Sequence, residues 1–362
     1  VRVILPGPFS LRPARHPALD GARGLAVMAM VLGHTLDALL SPAVRTLPGV
    51  QFYWSLRGIT APLFLLVSGW AVVAALDNRP DAARSTFGRR VRRALLLLFL
   101  GYLLHWPGWE AIHTQGWTQG LLVHFFAFDA LQVIGLSLMV GAAVLVLAQG
   151  TWTRALALTV LAVGIPVGSA LLWKLGVGMP TVLHQAMGAT GSPFPFFPWG
   201  GFFFAGALAA HLLRLLRPGW PQGLMLTLLG LGLLGLTGQL TADWTATSAW
   251  LVAYRVGQGC LVLAAMNFAP LWLSRLFVPM GRLSLWVYVL HLPLVYGWAG
   301  TPGLVERVGP TLELGPALLV GAGLLAACFL AARLGSWVRG LSFPWRSGST
   351  AFSPTLGSGQ RI

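Results

Sequence analysis

The chain has 362 residues, of which 56% are hydrophobic and only 9% charged, and its net charge is +15. A water-soluble protein of this length cannot hide so much apolar surface. That excludes soluble enzymes and binding modules and leaves an all-α, polytopic integral membrane protein partnered by the lipid bilayer. Nor does the positive charge mark a nucleic-acid binder, because the arginines sit in short loops between apolar stretches rather than along one face.

Residues 1–18 carry arginines and prolines without the apolar core of a signal peptide, and read as a cytoplasmic segment. One transmembrane domain then runs over 19–340, with no internal repeat. About ten spans are predicted, near 20–40, 58–76, 93–107, 129–148, 154–173, 196–214, 222–240, 249–268, 282–298 and 316–335. Each approaches the length a bilayer demands. The third is short and stops at Pro107, so it tilts or ends early. Residues 118–127 are apolar but too few to cross, and read as a re-entrant or interfacial piece. The tail over 341–362, rich in Ser, Gly and Pro, is expected to be disordered. Loop charge sets the orientation. With the N-terminus inside, eighteen basic residues fall on the cytoplasmic side and four (Arg45, Arg57, Lys174, Arg307) on the other. Both termini are therefore expected in the cytoplasm, with the chain in the plasma (inner) membrane. The two cysteines, Cys260 and Cys328, lie inside spans, so neither a disulfide framework nor a cysteine metal site is implied.

The first span carries Asp20, Arg23, His34 and Asp37, and ionisable groups within a bilayer are expensive enough to suggest function. Arg23 and His34 are about three turns and about 16 Å apart on one helix face, and Asp37 lies one turn beyond His34. Such a stripe suits the two ends of an elongated substrate. Further along, Arg57 and Ser68 belong to the second span, Asp129 and Gln132 open the fourth, and Arg255 and Gln258 lie in the eighth. Tyr288 and His291 share a face of the ninth, where His291 serves either helix packing or the site. His105, His124, His184 and His211 have no spacing that suggests zinc, and metal ligands are expected to be absent.

These residues also fall in ordered motifs. RHPALDGARGLAVMAMVLGH (Arg15 to His34) resembles the first helix of the transmembrane acyltransferase superfamily, whose signature is an Arg, ten residues, then a His. RGITAPLFLLVSGWAV (Arg57 to Val72), the basic segment FGRRVRRALLLLFLGYLLH (Phe87 to His105) and GRLSLWVYVLHLPLVY (Gly281 to Tyr296) are similar to its second, third and penultimate helices. The LD-x-x-RG opening, RGITAP, FDALQVIGLSL and FPFFPWGGFFFAGALAAHLL resemble the heparan-alpha-glucosaminide N-acetyltransferase-like branch more than the acyltransferase-three O-acetylases.

The resemblance implies an enzyme that moves an acetyl or other short acyl group from cytoplasmic acyl-CoA, a co-substrate rather than a bound cofactor, to a sugar or glycan hydroxyl or amine. The residues agree with that chemistry. Arginine binds phosphate through a planar fork, so Arg23 with Arg89, Arg90, Arg92 and Arg93 is expected to hold the CoA phosphates. His34, with an imidazole matched to neutral pH, is expected as general base or as acyl acceptor. Asp37 then orients His34 or touches the acceptor. Ser68 is a candidate oxyanion donor. Arg57, Asp129, Gln132, Arg255, Gln258, Tyr288 and His291 are expected around the acceptor or the central cavity. Two bland readings stand beside these: Arg23 as a snorkelling helix anchor, and the Arg89–Arg93 run as a topology signal alone. The competing class is a transporter or translocase that uses the same groups as a polar path. A third is an inactive scaffold.

Overall fold

The computed structural model describes residues 16–76, 82–188, 191–239 and 245–341. The segment before His16 and the tail beyond Leu341 lie outside the described residues. The described elements are helices. In chain order they are α1 (Pro17–Leu39), α2 (Pro42–Arg45), α3 (Pro48–Arg57), α4 (Thr60–Ala74), α5 (Ala82–Leu104) and α6 (Trp109–Gln115). There follow α7 (Gln119–Phe126), α8 (Ala130–Leu147), α9 (Thr151–Gly176), α10 (Thr181–Met187) and α11 (Phe196–Leu213). The chain continues through α12 (Trp220–Gly238), α13 (Ala249–Phe268), α14 (Leu271–Tyr296), α15 (Leu304–Arg307) and α16 (Leu314–Leu341).

Among the described residues, nine helical segments are long and apolar enough to cross a membrane, with α3 and α4 together forming one of them. A tenth is reached if α5 and α6, bent by 61° at their junction, count as a broken span. The expected short third span is thus a long helix with a sharp elbow at Pro107. The elbow has a local cause, since proline lacks an N–H and disfavours helix at the residue before it. The short apolar piece after it is α7, too brief to cross.

In lipid, apolar side chains gain little by meeting one another, so helices associate where small residues let backbones close up. Two such crossings organise the bundle. At α1–α14, a Cβ on Gly24 would run into the Phe277 carbonyl, and one on Gly281 into the Asp20 carbonyl. At α4–α11, Gly69 meets the Phe203 carbonyl and Gly206 the Leu66 carbonyl in the same way. These crossings bury α1, α4 and α11 at the centre, while α9 and α16 expose leucines such as Leu171, Leu319 and Leu330 along the rim.

Helix direction then sorts the chemistry. The late residues of α1, α5 and α14 lie at one end of the bundle, beside the early residues of α4 and α8. A loop covers that end. Leu312 N–H donates to Leu39 O (2.8 Å), Ser41 N–H to Leu312 O (3.0 Å) and the Trp298 indole to Leu103 O (2.7 Å).

Candidate active site

The helix ends enclose a cavity of about 980 Å³. Its walls include His34 from α1, Arg57 from α3, His105 after α5, Asp129 before α8, and Tyr288 and Tyr296 from α14. His34 Nδ1 shares a hydrogen bond with the Tyr296 hydroxyl at 2.8 Å, and its ring centroid is 5.5 Å from that of His291. His291 is fully buried and its Nδ1–H donates to Val287 O at 3.1 Å. A carbonyl can only accept, so the tautomer is fixed and Nε2 carries a lone pair, which is buried without a partner. Tyr288, 5.6 Å from His291 between ring centroids, continues the line of rings.

Asp37 lies elsewhere than expected. Rather than bonding the His34 ring, it accepts from Arg57 (3.1 Å) and pairs with Arg45 (3.6 Å). Arg45 also donates to the Asp37 carbonyl. The carboxylate therefore fixes Arg57, which stands over Trp54 on the cavity wall. The contact that orients His34 is Tyr296. Ser68 also departs from expectation. Its hydroxyl donates to Phe64 O (2.8 Å) on its own helix and does not line the cavity, so its proton is spent away from any oxyanion.

Also lining the cavity, Asp129 caps α8, accepting from Ala130 N–H at 2.6 Å. Gln132 closes the capping box by accepting from Asp129 N–H (3.3 Å), and its amide reaches Ala127 O (3.2 Å) and His105 Nδ1 (3.4 Å). His105 Nε2 lies 3.7 Å from Asp129 Oδ2, and the Tyr288 hydroxyl also faces that carboxylate. His124, from α7, stands 5.6 Å from His105 between ring centroids, and burial pulls its pKa below the ordinary imidazole value. Among the described residues, no three such groups converge as metal ligands do.

The arginines occupy the other end. Arg23 pairs with Asp20 at 3.8 Å, and Asp20 also meets Arg282 at 3.8 Å. Arg93 is near enough for its charge to bear on Arg23. Arg89, Arg92 and Arg93 are exposed, whereas Arg90 is buried. Arg90 donates to Val72 O (3.3 Å), and its Nη1 is buried without a partner among the described residues. None of them lines the cavity, whose α1 wall begins at Ala29. Arg255 and Gln258 bond each other (2.8 Å), and Arg255 lines a smaller cavity of about 450 Å³ that shares Gly58, Pro193 and Trp199 with the main one.

The bundle, the buried imidazoles and the arginine rim suit one activity, and a family comparison decides it. The family model for the acyltransferase domain, of the acyltransferase 3 type, matches residues 16–335. The chain belongs to that acyltransferase family. A comparison with curated proteins found no match. As a membrane-bound acyltransferase of this family, the protein is an enzyme, which sets aside the transporter reading. Tyr296, His105 and His124 are cavity groups of this acyltransferase to which the sequence attached no role. One signal was available for Tyr296: it follows Tyr288 and Leu292 at four-residue steps, the period of a helix face. His105 follows the long α5 and His124 belongs to the short α7, and only the fold brings them together.

Proposed function

We propose that this acyltransferase takes an acetyl or other short acyl group from acyl-CoA and passes it to a hydroxyl or amine of a sugar or envelope glycan, with His34 at the reacting carbonyl. The observation that carries the reading is His34 on the wall of a cavity of about 980 Å³, its Nδ1 held by Tyr296. A ring held at one nitrogen keeps the other for chemistry. It then serves as base towards the acceptor or as the nitrogen that carries the acyl group. Arg57, fixed by Asp37, supplies a positive charge beside the negative oxygen that develops when the carbonyl is attacked.

The CoA phosphates are assigned to the arginine end. Arg90 supports this, because a buried guanidinium nitrogen without a partner is costly until an anion reaches it. Arg23 and Arg93 add charge nearby. The loop-charge bias supports an orientation with this end and both termini in the cytoplasm of a plasma (inner) membrane. The acyl group then crosses much of the bilayer inside the protein. Within the family, the LD-x-x-RG and RGITAP motifs favour the heparan-alpha-glucosaminide N-acetyltransferase-like branch.

The test pairs purified full-length protein with acetyl-CoA and a panel of amino sugars, and compares envelope glycans and lipids by mass spectrometry with and without the chain. The expected result is an acyl mass added by wild type and lost in His34→Ala. Identical behaviour of the two proteins sinks the assignment of His34.

A further inference from the structure

Acyl transfer needs two things done at two places: the acyl carbonyl must be activated, and the acceptor must lose a proton. His34 with Tyr296 occupies one wall of the cavity. The same cavity carries a second acid–base group, in which Asp129, His105 and Tyr288 line the wall and Gln132 lies behind them. Resting on the acyl-transfer reading above, with His34 kept at the acyl carbonyl rather than as base towards the acceptor, we propose that Asp129 is the base that takes the acceptor's proton, with His105 and Tyr288 as its positioning residues.

Hydrogen-bond logic singles out Asp129 within this group. The Gln132 amide is fixed end to end, with Oε1 accepting from Asp129 N–H and Nε2 donating to Ala127 O. Its NH₂ can only donate, so His105 Nδ1, 3.4 Å away, is the acceptor of that contact. In that tautomer the His105 proton sits on Nε2, turned towards Asp129 Oδ2 at 3.7 Å, while the Ala127 carbonyl also faces the ring. Tyr288 presents its hydroxyl to the same carboxylate. Two donors therefore aim at an acceptor-only group on the cavity wall. Oδ1 is engaged by Ala130 N–H at 2.6 Å, which anchors the carboxylate and leaves Oδ2 to face the cavity groups. The other lining acid, Glu306, is exposed and accepts from Gly303 N–H in its own turn. The two groups are linked by rings, since the ring centroids of His34 and His291 are 5.5 Å apart and those of His291 and Tyr288 5.6 Å.

The step balances without a further reagent. The acceptor heteroatom bonds to the thioester carbonyl carbon as its proton moves to Asp129 Oδ2. The carbon–sulfur bond then breaks with its electron pair on sulfur, and the thiolate takes up one proton to leave as CoA thiol. If the acyl group rests first on His34, the bond broken at this stage is the one to the imidazole nitrogen, and the proton transfer to Asp129 is unchanged.

The alternative role for Asp129 is that of a helix cap and nothing more. Asp129→Asn separates the two, because asparagine caps a helix as well as aspartate does but its amide cannot take a proton. Purified full-length protein is given radiolabelled acetyl-CoA with either water or hydroxylamine as acceptor. Water needs a base to attack; hydroxylamine attacks through an amine that is already unprotonated. Asp129→Asn should keep its melting temperature and its hydroxylamine reaction while losing hydrolysis about a hundredfold or more. His105→Gln should show a smaller loss on water alone, in kcat rather than KM. His34→Ala should lose both reactions. Wild-type rates with both acceptors in Asp129→Asn reduce the residue to a cap and overturn the proposal. Equal losses with both acceptors at an unchanged melting temperature place it on the donor side and overturn it too. A wild-type protein inert to both acceptors overturns the acyl-transfer reading, and this proposal with it.

Discussion

The two ends of α1 handle charge in opposite ways. At the first, one carboxylate, Asp20, is shared by Arg23 and Arg282 at long ion-pair distances, with Arg93 close by. Among the described residues positive charge is in surplus there, and Arg90 holds a buried nitrogen without a partner. At the other end Asp37 is likewise shared by Arg57 and Arg45, but Arg57 lies at hydrogen-bond distance and the cavity groups beside it are tied to one another through hydrogen bonds. A surplus of fixed cations suits an anion that comes and goes. A network of donors and acceptors already held by one another suits a reaction in which charge appears only briefly, since groups fixed beforehand need not reorganise. The same helix thus presents a binding end and a reacting end, and variants at each should fail differently.

The largest effect is expected at the reacting end. His34→Ala should lower kcat by about a thousandfold with little change in CoA affinity, as expected for loss of a general base or nucleophile. An equal loss of CoA affinity would erase the division between the ends. Next comes the binding end. Arg90→Gln should weaken CoA binding by about 2 kcal/mol, roughly thirtyfold, while leaving the rate at saturating donor intact. Arg23→Gln should act in the same direction by less, because Asp20 already holds its guanidinium. Calorimetric titration with CoA measures both, and unchanged affinity in Arg90→Gln would leave the arginine run as a topology signal only.

A finer cut is available within the reacting end. Tyr296→Phe removes the hydroxyl that holds His34 and keeps the ring, so it should cost about 1 kcal/mol in kcat/KM, roughly fivefold. No change would mean that the imidazole is oriented by packing against His291 instead.

How far the sequence revealed all this depends on what kind of contact is asked for. The spans were legible because a bilayer admits few solutions: about twenty apolar residues, closed by loops. Arg23 and His34 were legible because both lie on one helix, where spacing alone sets the face. Partners from distant segments were not. Nothing local distinguishes Asp37 bonding His34, three residues earlier, from Asp37 bonding Arg57, twenty residues later; the fold brings α3 against the end of α1 and settles it. His105 and Asp129 meet only because α5 and α8 pack side by side and antiparallel. The elbow between α5 and α6 was half-read from Pro107, whose effect on a helix is local, while its angle of 61° follows from what lies around it.

Ser68 gives the smallest effect and the most direct check on the proposed geometry. Spacing places it in the span that follows Arg57, which made it a candidate donor to the oxyanion. Yet a serine inside a helix can satisfy its hydroxyl on the carbonyl one turn back, and Ser68 does so at Phe64 O. That carbonyl is already bonded within the helix, so losing the serine hydroxyl strands no buried group. Ser68→Ala should therefore leave kcat and KM unaltered and shift stability by less than about 0.5 kcal/mol. Arg57→Gln, by contrast, removes a charge that lines the cavity and should lower kcat. If the order is reversed, with Ser68→Ala slow and Arg57→Gln normal, then the serine turns towards the substrate during turnover and the oxyanion lies beside α4 rather than beside α3.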